Sequence, residues 1–134
     1  MKALFGDAFF WLALVNADDE AHDFATEYLA ACDEVIVTTD PILLEVGDAL
    51  SSTPRGRESY LSLVSDLRKD PSVKIIPFTQ EAFSAALTLY GSRRDKQWSL
   101  TDCCSFVVME ELRIHEALTG DRHFEQAGFT AVFR

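Results

Sequence analysis

Four carboxylates in this chain stand where they could do chemistry together: Asp7, Glu45, Asp102 and Asp121. Asp7 directly follows the short strand-like stretch Lys2–Gly6, and Asp121 lies just after Glu116-Ala-Leu-Thr119. Thr38, Thr39 and Asp40 end the β-branched run that begins at Val35. In an open parallel sheet, ligands bind beyond the carboxyl ends of the strands. Three segments therefore deliver oxygen atoms to one edge if their strands are neighbours. Glu45 borders an apolar helical stripe, and Asp102 opens a segment that is apolar nearly all round. A carboxylate so near a core needs a counter-charge, and neither has a Lys or Arg at helical spacing. Like charges held close raise one another's pKa and weaken the fold unless a cation sits among them. Hard oxygen donors without His or Cys select Mg²⁺ or Mn²⁺ over Zn²⁺. Such an ion activates water and clamps the oxygens of an in-line displacement at phosphorus.

Each acid also has a purely structural account. Asp7 and Asp121 fit helix N-caps. Asp102 fits a capping box with Ser99, stabilised by the helix dipole. Glu45 fits an exposed helix flank. None of these accounts excludes an ion.

The elements that must position these residues alternate between short strands and longer helices. Strands are expected at Lys2–Gly6, Val35–Thr38, Val73–Ile76, Glu116–Thr119 and Thr130–Phe133. Ala8–Val15 reads as one or two buried helical turns. Residues 18–32 read as an amphipathic helix whose first turn carries Asp18, Asp19 and Glu20. Pro41 suits a first helical position, in a helix running to about Leu50. Thr53-Pro-Arg-Gly56 breaks the chain before a helix over 57–69 with Tyr60, Val64 and Leu67 on one face. Thr79 caps a helix with Phe83, Ala86, Leu87 and Tyr90 on its face. Gly91–Gln97 is a polar loop, a central helix spans about Thr101–Leu112, and 122–127 is a short helix. Strands separated by helices imply parallel pairing with crossovers. The expected fold is an α/β three-layer sandwich around a mostly parallel sheet of four or five strands, with residues 1–134 forming one domain.

Composition narrows the function. The 134 residues are 48% hydrophobic, enough for a packed core, and carry a net charge of −10. A general nucleic-acid coat protein is therefore excluded, because nonspecific phosphate binding runs on excess positive charge. An acidic surface instead suits cations or a basic partner. Cys32, Cys103 and Cys104 show neither CxxC nor Cys/His metal spacing and read as free thiols of a reducing cytoplasm. The longest apolar run, Ala8–Val15, falls far short of the ~20 residues that cross a membrane. Lys2 followed by an apolar stretch superficially resembles a signal peptide, but Asp7 interrupts it.

Taken together, Leu4-Phe-Gly-Asp7, Thr38-Thr-Asp-Pro-Ile-Leu-Leu-Glu45, Trp98-Ser-Leu-Thr-Asp102-Cys-Cys-Ser-Phe106 and Ala117-Leu-Thr-Gly-Asp121-Arg-His-Phe124, with Gly128-Phe129 after them, resemble the PIN-domain ribonucleases. In particular they resemble the VapC-like toxins of toxin–antitoxin pairs. The resemblance implies a PIN fold and a metal-binding quartet at Asp7, Glu45, Asp102 and Asp121. It also implies Mg²⁺- or Mn²⁺-dependent RNA cleavage, homodimers, and inhibition by a small antitoxin. Thr38 and Thr119 match hydroxyl positions near the family's site, as candidates for bracing the acids. Ala8 stands where the family often has a hydroxyl residue.

The function expected on these grounds is a metal-dependent endoribonuclease toxin that hydrolyses RNA phosphodiesters and leaves 5′-phosphate and 3′-hydroxyl ends. The alternative is a catalytically silent PIN-like module that binds RNA or protein. Arg93, Arg94 and Lys96, shortly before Asp102, are candidate phosphate-steering residues, and Trp98 beside them either stacks on a base or packs in the core. A small antitoxin with a basic segment suits the acidic excess, and segments 18–32 and 57–69 are candidates for a groove that receives a partner helix. A metal-free ribonuclease would need a His acid/base pair. Of the three histidines, His123 is the one near an acid of the quartet, placed to hydrogen-bond or to contact RNA. A dehalogenase-type phosphatase would need a second Asp where Phe9 stands, and a receiver domain would need a paired early acidic site and a late Lys.

Overall fold

The computed structural model describes residues 2–134. Its elements run β1 (Ala3–Gly6), α1 (Ala8–Val15), α2 (His22–Ala31), β2 (Val35–Thr39), α3 (Asp40–Ala49), α4 (Pro54–Lys69), β3 (Val73–Ile76), α5 (Gln80–Ser92), α6 (Leu100–Leu112), β4 (Glu116–Leu118), α7 (Arg122–Gln126) and β5 (Thr130–Ala131). The five strands form one sheet in the order β3-β2-β1-β4-β5, and every neighbouring pair is parallel. The chain leaves β1 toward β2 and β3, then returns to lay β4 on the other side of β1. Strands β1 and β4 therefore flank the topological switch point, where a crevice opens beyond their carboxyl ends. Asp7 leaves β1 there, and Thr119 to Asp121 leave β4 there.

Burial explains why these segments form these elements. Leu4 and Phe5 of β1, Ile36 of β2, and Ala117 and Leu118 of β4 are almost wholly shielded from water, as strands covered on both faces require. Helix α1 is short because Phe10, Trp11 and Ala13 are fully buried and Asn16 ends it. Helix α6 runs through the core on Cys103, Cys104, Phe106, Val108 and Met109. All three cysteines are free thiols, with Cys103 and Cys104 buried and Cys32 partly exposed.

Several boundaries differ from expectation. The helix expected over 18–32 begins only at His22. The Asn16 side chain accepts from the amide of Asp18 at 3.0 Å, and the Asp19 carboxylate accepts from that of Ala21 at 2.8 Å. These local bonds hold a turn and compete with the helix. The Thr53–Gly56 break is instead the start of α4. Thr53 accepts from the Gly56 amide at 3.0 Å, and Pro54 sits in the first turn, where its missing N–H costs nothing. Gly56 is required there, since a Cβ would lie 2.3 Å from the carbonyl oxygen of Leu50. Pro41 falls one position inside α3, whose cap is Thr39, accepting from Ile42. Strand β4 ends at Leu118, and β5 has two residues rather than four. The apolar face expected for α5 is only partly covered: Ala86 is buried, while Phe83, Leu87 and Tyr90 stay 38%, 45% and 52% exposed.

Candidate active site

Asp7 occupies the N-cap position of α1, but its side chain makes no cap hydrogen bond. Its carboxylate is buried and accepts from Thr119 Oγ1 at 2.7 Å through Oδ2. Burial pushes the Asp7 pKa up to about 7. The Thr119 hydroxyl and the Ala8 amide oppose that shift, while Glu45 and Asp102 reinforce it. The carboxyl end of β1 is pinned from behind. Thr38 Oγ1 donates to the carbonyl of Gly6 at 2.9 Å, and the Trp11 indole N–H lies 3.2 Å from both that carbonyl and Thr38 Oγ1. Gly6 leaves room for the ring, since a Cβ would meet it at 2.6 Å. Thr38 thus braces the strand that carries Asp7 and does not touch an acid.

Asp102 and Asp121 each combine a cap with a place in the acidic cluster. Ser99 and Asp102 form the expected capping box, with the Asp102 amide donating to Ser99 Oγ at 3.0 Å and the Ser99 amide to Asp102 Oδ2 at 3.1 Å. Asp121 caps α7 by accepting from the His123 amide through Oδ1 at 2.8 Å. In both residues the second carboxylate oxygen has no hydrogen-bond partner among the described residues. The Asp121 amide in turn donates to Thr119 Oγ1 at 3.1 Å, so one hydroxyl links Asp7 to the Asp121 turn. Glu45 is exposed on α3, yet partial burial of its carboxyl, then Asp102, then Asp121 push its pKa up. Charges of neighbouring acids among the expected four thus help to push up the pKa of Asp7 and of Glu45.

His123, expected from the sequence only near Asp121, lies within the acidic group. Its Nδ1 lies 3.0 Å from Asp102 Oδ2 and 3.5 Å from Asp121 Oδ1. Single ligand atoms of Asp102, Asp121 and His123 all fall within 4.8 Å of one another. The carboxylate oxygens thus have one imidazole nitrogen beside them, within hydrogen-bond reach of Asp102. The signal in the sequence was the spacing of His123 two residues after a capping Asp.

Two of the three expected phosphate-steering cations, Arg93 and Lys96, share a single acid, Asp95, so the segment keeps two net positive charges. Arg93 makes two 3.0 Å hydrogen bonds to Asp95 and lies 5.0 Å above the Trp98 ring, and Lys96 is 3.9 Å from Asp95. Arg94 donates to the Gly91 carbonyl and remains exposed. Trp98 is buried, packs against Phe106 and donates to Gln126, so its ring is not a stacking platform. Arg93, Arg94, Lys96 and Ser99 nonetheless line one groove of about 670 Å³ that reaches the capping box of Asp102.

A parallel sheet with acids gathered at its switch point defines the class. The PIN domain family model matches residues 4–130, and the chain belongs to that family. Along 129 residues it is 28% identical to the 23S rRNA-specific endonuclease VapC20 of Mycobacterium tuberculosis, covering 96% of this chain and 97% of that protein. The crystal structure of VapC20, a Sarcin-Ricin loop cleaving toxin, matches with a TM-score of 0.88 over 96% of this chain and 98% of the other. The fold is also shared with FitAcB from Neisseria gonorrhoeae, at 14% identity and a TM-score of 0.69 over 98% of this chain and 96% of that one.

Proposed function

We propose that the chain is a divalent-metal-dependent endoribonuclease and the toxin of a toxin–antitoxin pair. The observation that carries this reading is the buried Asp7 carboxyl, opposed by Glu45 and Asp102, beside a cluster of Asp102, Asp121 and His123. Mutually repelling acids with no Lys or Arg partner among the described residues fit a hard divalent cation, Mg²⁺ or Mn²⁺. Asp7 and Asp102 would hold it, with Glu45 and Asp121 completing the set. Bound there, the ion supplies charge that offsets the acids and polarises the scissile phosphate and the attacking water. The chain's own residues fix the geometry: Thr119 orients Asp7, the capping box orients Asp102, and Arg94 at the groove edge draws in the RNA backbone. Similarity to VapC20, named as cleaving 23S rRNA, makes structured RNA the substrate class to test.

The partner is an antitoxin with a basic, helical segment. Between α1–α2 and α4 lies a groove of about 600 Å³ lined by Leu14, Val15, Leu29 and Leu63 and edged by Glu58 and Asp66. An amphipathic helix with Lys or Arg flanks fits such a groove. The same fold occurs in a toxin–antitoxin complex from Klebsiella pneumoniae at 15% identity. We assign the uncovered α5 stripe of Phe83, Leu87 and Tyr90 to a homodimer contact, which sedimentation of wild type and Leu87→Glu reads directly. Free thiols suit the cytoplasm, and among the described residues no helix is long and apolar enough to cross a membrane.

The test compares wild type with Asp7→Asn on structured RNAs in Mg²⁺, Mn²⁺ or EDTA. Cleavage by wild type with either metal, leaving 5′-phosphate ends, and its loss in EDTA and in Asp7→Asn support the reading. Products with 2′,3′-cyclic phosphate ends, or cleavage unaffected by EDTA, contradict it. Binding of RNA without cleavage under every condition would mark a silent module.

A further inference from the structure

We infer that His123 is a positioning residue, one whose Nδ1–H fixes Asp102 so that a single carboxylate oxygen faces the metal; this rests on the metal-nuclease reading above. Asp102 Oδ2 accepts two N–H groups, from Ser99 at 3.1 Å and from His123 Nδ1 at 3.0 Å. A carboxylate oxygen accepts and does not donate, so the imidazole nitrogen carries the hydrogen. Ser99 lies in the same capping box and cannot relate Asp102 to the rest of the site. His123 can, because it arrives from α7, which follows β4 in the chain.

One residue thus meets two acids with two different donors. The backbone N–H of His123 holds Asp121 Oδ1 at 2.8 Å, and its ring holds Asp102 Oδ2. Together these bonds occupy one oxygen of each acid and leave Asp102 Oδ1 and Asp121 Oδ2 without hydrogen bonds among the described residues. Thr119 does the same on the β4 side by joining Asp7 to the Asp121 turn. The site is therefore a chain of hydrogen bonds running from Asp7 through Thr119 and the Asp121 turn to His123 and Asp102. Imidazole-to-carboxylate bonds of this kind orient metal ligands, and their loss weakens metal binding by roughly 10–100-fold.

A plain α6–α7 clamp is the rival role, since Trp98 also donates to Gln126 across the same two segments at 3.1 Å. The geometry separates the two. An Asn side chain can place its amide nitrogen where His Nδ1 stands, whereas Leu fills similar space without a donor. The experiment titrates Mn²⁺ alone into the full chain as wild type, His123→Asn, His123→Leu and Asp102→Asn, at fixed pH. His123→Leu is expected to bind Mn²⁺ roughly 10–100-fold more weakly, and His123→Asn to return within about threefold of wild type. Unchanged affinity in His123→Leu, or equal losses in the Leu and Asn variants, overturns the inference. Failure of wild type itself to bind Mn²⁺ overturns the metal-nuclease reading instead, and Asp102→Asn calibrates a lost ligand. Should His123→Leu not fold, ¹⁵N shifts of the wild-type imidazole in saturating Mg²⁺ decide. A hydrogen-bonded, protonated Nδ1 supports the inference, and an unprotonated or metal-bound Nδ1 overturns it.

Discussion

The two ends of strands β1 and β4 treat negative charge in opposite ways. At their amino ends, Glu116 is paired with Lys2 across the sheet, and the pair lies open to water. At their carboxyl ends, Asp7, Glu45, Asp102 and Asp121 have no Lys or Arg ion pair among the described residues, and Asp7 is buried. Asp7, Asp102 and Asp121 are held by the Thr119 hydroxyl, backbone N–H groups and the His123 ring. Most acids of this chain lack a Lys or Arg partner, Glu116, Asp95 and Glu125 being the paired ones among the described residues. The carboxyl end differs in that its acids are gathered around one that is buried, Asp7. On the proposed reading, a cation from outside supplies the charge that offsets this burial.

Breaking the carboxyl end should have the largest consequence. Asp7→Asn should lower RNA cleavage by more than roughly 100-fold, since loss of even an outer partner of a metal ligand costs 10–100-fold. Quantified cleavage of a structured RNA in Mg²⁺ checks this, with circular dichroism confirming that the variant is folded.

The next effect is on stability. The folded pKa of Asp7, about 7, lies above its ordinary value of 3.8. Its contribution is therefore fully present below about pH 3.8 and is lost as pH rises through 7. The full span is on the order of 4 kcal/mol. In EDTA, the stability of wild type relative to Asp7→Asn should fall across that window, and at pH 8 the Asn variant should be the more stable. Urea denaturation of both proteins from pH 4 to 8 measures the difference, and a flat difference would contradict the penalty that burial places on the charged Asp7 carboxylate.

Thr119→Val sharpens the contrast further by removing the hydroxyl that orients Asp7 while keeping its shape. Cleavage should drop about tenfold, the low end for an outer hydrogen bond at a metal site. The smallest effect belongs to the other end of the strands. Lys2→Met breaks a solvated pair and should leave cleavage at the wild-type rate in the same assay, whereas a loss comparable to that of Thr119→Val would erase the distinction between the ends.

Much of this organisation was legible in the sequence because local physics dictates it. Val35-Ile-Val-Thr marks a buried strand, Thr79 and Ser99 mark helix starts, and acids just after strands mark the sheet edge. The misread boundaries were local competitions. Asn16 and Asp19 chose side-chain turns over a helix, and Thr53-Pro54 started a helix where Pro and Gly suggested a break. Two features needed the tertiary structure. The periodicity of Phe83, Leu87 and Tyr90 reveals a shared face but not whether this chain's own core covers it. His123 acquires its role only when Asp102, 21 positions away, is folded against it.

The most direct test of the central claim is anomalous scattering from crystals of the protein soaked in Mn²⁺. The account predicts a manganese peak at the carboxyl ends of β1 and β4, within coordination distance of Asp7 and Asp102. Well-ordered crystals at saturating Mn²⁺ with no peak among these acids would contradict it.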